Sequence, residues 1–381
     1  MSFLDTAHLS RAPMAGLSVI GVFWGGFAAF IPDIKARVGA SDAELGLTLM
    51  MMAVGGITAM WFGPRLFAPL GRYTLPVAAL IAAVAVVYPL LAHSVPALGL
   101  ALFGIGASLS LLDMGSNIRI SILEERHGMH LMNVNHAMFS FSFAAMALLA
   151  SLARRAGFAP ADFFAVSIVV IVALAGAMVE RGDWSGAPET PAGADHRGIW
   201  RAILPAAGIL FMAFVAENAT DSWSALHIER TLGQPAGDGG LGPMMLGLTM
   251  GFGRLSGQLL AAKLGEAGLI FWSSVVGVIG AVVTAAAQGA ALAILGIGLI
   301  GLGVAVTVPS ANSILGKLVR PDQRGYAISR AWMIGFTGFF VGPTMMGQIA
   351  QHLGLRAGFL GIAAVMALIL PCVVLIRRVG R

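Results

Sequence analysis

Charged residues are scarce in this chain. Of its 381 residues only 11% are charged and 58% are hydrophobic, and the mean hydropathy is +0.87. A soluble domain carries about a quarter charged residues, so this surface cannot face water all round. Cysteine is nearly absent too: the single Cys372 excludes a disulfide framework and a cysteine metal site. No G-x-x-x-x-G-K-[ST] segment occurs, which excludes nucleotide hydrolysis of the P-loop kind. An H-E-x-x-H zinc helix and a paired nucleophile and base in adjacent apolar segments are also missing, which argues against an intramembrane enzyme. There is no sizeable soluble output domain, which disfavours a non-transporting sensor. The net charge of +5 comes from arginines dispersed between apolar segments, so it marks topology rather than a nucleic-acid surface.

What is present is a succession of apolar runs of 18 or more residues, each able to cross a hydrocarbon core about 30 Å thick as a helix. Such runs, in place of alternating strands of roughly ten residues, exclude an outer-membrane barrel. Twelve spans are predicted, at 14–31, 44–63, 74–92, 96–118, 135–153 and 160–179, then 202–223, 241–262, 267–288, 290–315, 325–350 and 357–376. The first lacks an obvious small-residue cleavage site and is taken as an uncleaved helix. With the N-terminus inside, the far side receives only Lys35, Arg37, Arg154, Arg155, Arg230 and Arg356, and the other lysines and arginines fall on the side of the termini, with Arg119, Arg254 and Arg330 open to a place within helices. That asymmetry predicts both termini in the cytoplasm and the inner membrane as location.

The one long polar stretch is ERGDWSGAPETPAGADHRGIWR, Glu180 to Arg201. Its composition reads as a flexible cytoplasmic linker, so residues 1–180, 181–201 and 202–381 are expected to be a first bundle, a linker and a second bundle. The halves echo each other. Leu45-Gly46-Leu47-Thr48 matches Leu246-Gly247-Leu248-Thr249, and Arg155-Ala156-Gly157-Phe158 matches Arg356-Ala357-Gly358-Phe359, both at an offset of 201 residues. The expected fold is therefore an all-α membrane protein of twelve transmembrane helices in two pseudo-symmetric six-helix bundles, which is a transporter architecture.

This layout resembles the major facilitator superfamily (MFS) over essentially the whole chain, and several segments resemble its fucose-permease-like branch with its YbjJ-like relatives. Asp113 with Asn117 matches the acidic residue and Asn of span 4, and His136 before Met138-Phe139-Ser140-Phe141 matches the opening of span 5. Glu217 to Trp223-Ser224 fits the span 7 pattern, Gly253-Arg254-Leu255-Ser256-Gly257 the end of span 8, and Gly325-Tyr326, Gly342-Pro343 and Gly347 the span 11 signature. The resemblance implies gating roles for Arg254 and for Arg65 and Arg72 between spans 2 and 3. That loop lacks the superfamily's usual Asp, and Gly25 to Phe30 lacks the Asp that fucose permease carries in span 1.

An ionisable group inside a span costs at least roughly 2.5–3.5 kcal/mol on insertion scales, so it is a functional candidate by default. Asp113 and Asn117, four apart, share a helix face, and His136 opens the antiparallel span 5 close to Asn117. Asp113 is expected to couple protons, with Glu217 as a second carboxylate; the alternative for Asp113 is a structural pair with Arg119. Asn117, Asn135 and His136, with Trp24, Asn218, Asp221, Trp223, Asn312, Arg330 and Trp332, supply the hydrogen-bonding and stacking groups expected of a solute cavity. His127, His130 and Glu124 form too thin a cluster for a metal site. The expected function is a secondary active transporter of a small polar solute, sugar-like or a related metabolite, coupled to protons and working as a monomer in the bilayer without a cofactor. A proton-driven exporter of drugs or metabolites is the alternative.

Overall fold

The computed structural model describes residues 3–129, 131–180, 198–320 and 323–379, with backbone alone for 3–5, 64–68 and Gln258. The expected linker residues 181–197 and His130 lie outside the described residues. Nearly everything described is helical. The first half contains α1 (Arg11–Val38), α2 (Asp42–Gly63), α3 (Pro69–Leu91), α4 (Val95–His127), α5 (Met132–Arg155) and α6 (Pro160–Ala177). The second half begins with α7 (Trp200–Thr231), two residues inside the expected linker, and continues through α8 (Leu241–Leu264), α9 (Glu266–Ala286) and α10 (Ala290–Leu318).

The last helical stretch, Arg324–Val379, runs for 56 residues. At a rise of 1.5 Å per residue a straight helix of that length would reach about 84 Å, far more than the hydrocarbon thickness. It turns back at Gly354, whose φ of 80° and ψ of 166° interrupt the helix. Arg356 ties the turn to the end of α9 by donating to the Ala285 carbonyl at 2.9 Å. The two limbs, α11 (324–353) and α12 (355–379), give a path compatible with the twelve expected passes.

One expected boundary moves. Residues 119–127, expected in a charged loop, continue α4 to a length of 33 residues, and Gly128 ends it in the left-handed conformation with its N–H on the Glu124 carbonyl. Glu124 Oε1 then accepts from the backbone N–H groups of Leu131 and Met132 at 2.6 and 2.9 Å, satisfying donors that α5 cannot satisfy itself. The carboxylate the thin metal reading would need is thus committed to a helix start. Arg119, now inside the helix, pairs with Glu180 at 2.7 Å instead of serving Asp113. In α10 the helix breaks at Val306, where φ is −103°; three residues on, Pro309 has no N–H to offer the preceding turn.

α1 and α7 are the most interior helices, with 89% and 72% of their apolar windows buried, against 33% for α6. α1 packs on α5, α2 on α4, and the halves meet where α5 lies on α8, α2 on α11 and α1 on α7. Under the sequence repeat α2 corresponds to α8 and α5 to α11, so the two outer junctions are equivalents. Near the termini the second half keeps its own core, including Ile203, Leu210, Leu315, Ala331 and Val373. Towards the opposite end, hereafter the far end, one core runs through both halves and joins Phe23, Phe27 and Leu45 to Trp223, Leu246 and Met346.

Gly354 sits in a region of backbone space that is open essentially to glycine alone. Gly354→Ala is expected to destabilise the protein by about 1–3 kcal/mol, read as a lower thermal unfolding midpoint in detergent, whereas Gly316→Ala, at a helical site with open space around it, is expected to hold or raise the midpoint, since Ala is the better helix former.

Candidate functional site

The site is built on α4, α5, α7 and α8. On α4, Asn117 lies one turn after Asp113, and its amide nitrogen donates to the Asp113 backbone carbonyl at 2.9 Å and to its Oδ1 at 3.1 Å. The Asn117 amide oxygen faces His136 Nε2 at 3.1 Å across the α4–α5 junction. An amide oxygen only accepts, so this contact puts a proton on Nε2 of His136. Asp113, Asn117 and His136 therefore form one hydrogen-bonded string in the first half.

The string meets the second half through Arg254 of α8. Its Nη1 donates to the His136 backbone carbonyl at 3.1 Å and to Ser140 Oγ at 2.5 Å, one turn further along α5. Its guanidinium carbon stands 5.8 Å from the centre of the Phe139 ring, within cation–π range. On the other side Nη2 lies 3.6 Å from Glu217 Oε1 of α7, with both side chains more than four-fifths buried. Arg254 is thus a second-half cation with acceptors in both halves, at the centre of the polar line.

α7 adds a second carboxylate one turn beyond Glu217. Asp221 is 8% exposed, and its Oδ1 has no hydrogen-bond partner among the described residues. Glu217 faces the Arg254 guanidinium, whereas Asp221 on the same helix face has no ion-pair partner among the described residues, so its negative charge is costly there unless a proton or a cationic group joins it. Asn218 is buried beside them and donates to the Phe214 carbonyl at 3.2 Å. Trp223 is fully buried, with its indole N–H unpartnered among the described residues.

Other expected site residues lie apart from this line. Trp332 Nε1 donates to Asn312 Oδ1 at 3.1 Å, joining α11 to α10, and its ring is 5.5 Å from Phe214. Phe214 in turn lies 4.6 Å from Phe339 with the rings tilted by 38°, so these side chains form an aromatic wall. Arg330 lies over the Tyr326 ring at 4.9 Å. Trp24 is edge-on to Phe27, 6.1 Å away on α1. Asn135 is fully buried and turned back on its own helix, donating to the Leu131 carbonyl at 2.8 Å. Arg72 is exposed and bonds to the hydroxyl of its neighbour Tyr73 at 2.8 Å, and the Arg65 side chain lies outside the described residues. Ser140 and Phe139 were not expected as site residues. Their signal was present, because both lie within one turn of His136 on α5.

No protein-family model matches the chain. It is 27% identical to an uncharacterised MFS-type transporter of Yersinia pestis over 90% of this chain and 88% of that protein. It is 26% identical to an uncharacterised transporter of Sinorhizobium fredii over 95% and 97% of the two chains. Among solved structures, the nucleoside transporter NupG superposes with a TM-score of 0.73 at 13% identity, covering 98% of this chain and 99% of that one. An inward-facing bacterial homologue of the human lysosomal transporter Spinster gives 0.71 at 14%, covering 100% and 98%. The fold is that of the major facilitator superfamily. Fold and relatives together support an MFS-type transporter, not an enzyme.

The Arg254–Glu217 pair makes a stability prediction. Removing one member of a buried pair leaves the other charge uncompensated, at a cost on the order of 3 kcal/mol. Glu217→Leu is expected to lower the thermal midpoint in detergent, and the double variant Glu217→Leu/Arg254→Leu is expected to recover most of that loss. Additive losses in the double-mutant cycle would show that the pair carries no interaction.

Proposed function

We propose that this chain is a proton-coupled secondary active transporter of a small polar solute, sugar-like or a related metabolite, working by alternating access. In this reading it lies in the inner membrane with both termini in the cytoplasm, and residues 1–180 and 202–381 are the two units that rock about a midplane site. The observation that carries the reading is the continuous polar line from Asp113 through Asn117 and His136 to Arg254 and Glu217. It crosses from one half to the other where a solute would have to pass. It offers acceptors in the carboxylates and donors in the guanidinium, the amide and the imidazole, which is the mixture a polyhydroxylated solute needs.

Asp113 is the leading proton carrier in the first half, because α1 brings no carboxylate to the middle of the bundle; Asp33 stands at its far end. Glu217 is its counterpart in the second half. Asn117, His136 and Asn218 contact solute, with Asp221, Trp24, Trp332 and Asn312 further along its path. A carboxyl that is protonated when the cavity faces one side and deprotonated when it faces the other ties solute movement to the proton gradient. The motifs of the fucose-permease-like branch favour a sugar-like solute. The aromatic wall of Phe214, Trp332, Phe336 and Phe339 favours the second reading, an exporter of amphipathic metabolites or drugs, since stacked rings take up apolar bodies.

A thermal-shift panel of sugars, nucleosides, carboxylates and amines on the purified protein identifies a stabilising solute, and radiolabelled counterflow in proteoliposomes then follows it. Asp113→Asn is expected to abolish accumulation driven by an imposed pH gradient while sparing counterflow. Accumulation at an undiminished rate in Asp113→Asn would overturn the coupling role, and stabilisation by amphipathic cations alone would favour the exporter.

A further inference from the structure

Carboxylates near the junction of the halves nearly all have a partner. In a far-end cluster Arg154 of α5, its side chain only 3% exposed, reaches Asp33 of α1 and Glu229 of α7. Arg230 grips Asp42 of α2 through two bonds of 2.7 Å, and Arg155 pairs with Asp238 at 2.7 Å. Along the polar line Glu217 faces Arg254, and Asp113 holds the Asn117 amide. Asp221 is the exception. Among the described residues its Oδ1 is the one buried carboxylate oxygen without a hydrogen-bond partner.

The packing around Asp221 explains the gap. Glu217, Asp221 and Ser224 recur at helical spacing and share one face of α7. Glu217 meets Arg254 of α8, and a Cβ on Gly242 of α8 would stand 3.0 Å from Ser224 Oγ. Asp221 lies between these two contacts and so faces the α8 stretch between Gly242 and Arg254. On that face α8 carries Leu246 and Met250, both buried and neither able to donate. No lysine or arginine occurs at positions 12–34 of α1, 133–153 of α5, 241–253 of α8 or 331–353 of α11. The basic group nearest along this face is Arg254, already engaged by Glu217, the His136 carbonyl and Ser140.

We propose that Asp221 receives a cationic nitrogen of the solute, which makes that solute a small hydrophilic amine such as an amino sugar or an amino polyol. The inference rests on the transport reading and narrows its substrate class. A protonated amine brings the missing positive charge and the missing donor on one atom, and a charge-assisted bond of this kind is about twice as strong as a neutral one. A bare metal ion would need several oxygen ligands, and Leu246 and Met250 offer none. Glu217 is held by Arg254, so one carboxylate is left to answer one nitrogen, and the class is a monoamine. The hydroxyl groups of the solute fall to Asn117 and His136, on the other side of Arg254.

The test reads binding to the purified full-length chain in detergent, by thermal shift and titration calorimetry. Amines are compared with their neutral twins: glucosamine with glucose, galactosamine with galactose, and glucamine with sorbitol. Sodium chloride and tetraphenylphosphonium serve as the other cations. At least one amine is expected to bind about tenfold tighter than its twin, the size of one hydrogen bond to a charged group. Asp221→Asn is expected to erase that preference while the neutral twin binds as before, and Asp221→Glu to restore part of it. The comparison on the native chain needs no variant, so it decides the matter even if Asp221→Asn fails to fold. The absence of an amine preference in every pair, or a preference that survives Asp221→Asn, overturns the proposal. Stabilisation by sodium or tetraphenylphosphonium alone overturns it too. Binding needs no proton gradient, so a failure of proton coupling leaves the result standing. Proton-driven uptake of a neutral sugar with its amine twin excluded would keep the transport reading and overturn the amine.

Discussion

A guanidinium inside a bilayer must find acceptors within the protein, because hydrocarbon offers none and insertion is costly without them. Two arginines of this chain meet that demand by reaching from one half of the molecule to the other. Arg254 leaves α8 for the His136 carbonyl and Ser140 on α5, and Arg154 leaves α5 for Glu229 beyond α7. Helices in lipid gain little from being pushed together by water, and they associate through close packing and such polar contacts. The junction between the halves is therefore held by a small number of directed bonds laid over tight helix packing. Directed bonds have discrete alternatives, which the proposed alternating access requires.

The scaffold was legible in the sequence because a membrane imposes one length on every helix. Apolar runs bounded by arginines and glycines mark the ten stretches that, among the described residues, are long and apolar enough to cross a membrane; α8, where Arg254 and Lys263 dilute the apolar signal, is not one of them. The error in the loop after span 4 has a physical source. Glu124, Glu125 and Arg126 read as a loop by their charge, yet they are good helix formers, and Gly128 supplies the left-handed stop two residues later. Charge ends the membrane segment there without ending the helix. The Asp113–Asn117–His136 string was legible too, since helical spacing and antiparallel packing bring those positions together.

The far-end cluster was not legible. Its members come from the end of α1, the start of α2, the end of α5 and the loop after α7, and no local pattern joins Asp33 to Arg154 across 121 residues. The signal lay in the topology, which assigns Arg154, Arg155 and Arg230 to one side, where Asp33, Asp42, Glu229 and Asp238 also emerge. Arg254 reads from the sequence as lying well within span 8, and its place in the middle of α8 sets it against Glu217.

The repeat shows where the two halves part company. Arg155 and Arg356 occupy matching positions, but Arg155 pairs across the junction with Asp238 while Arg356 binds the Ala285 carbonyl within its own half. Cross-half bonding by these matched arginines is thus confined to α5. The same helix carries His136 and Ser140 against Arg254 near one end and Arg154 against Glu229 at the other. Eighteen residues separate His136 from Arg154, about 27 Å along a straight helix, so α5 spans most of the hydrocarbon core with a cross-half contact near each end. A rod held at two such points cannot tilt about its middle without moving both contacts in opposite directions. The polar line near one end of α5 and the ion cluster at its other end are therefore joined by a single continuous helix.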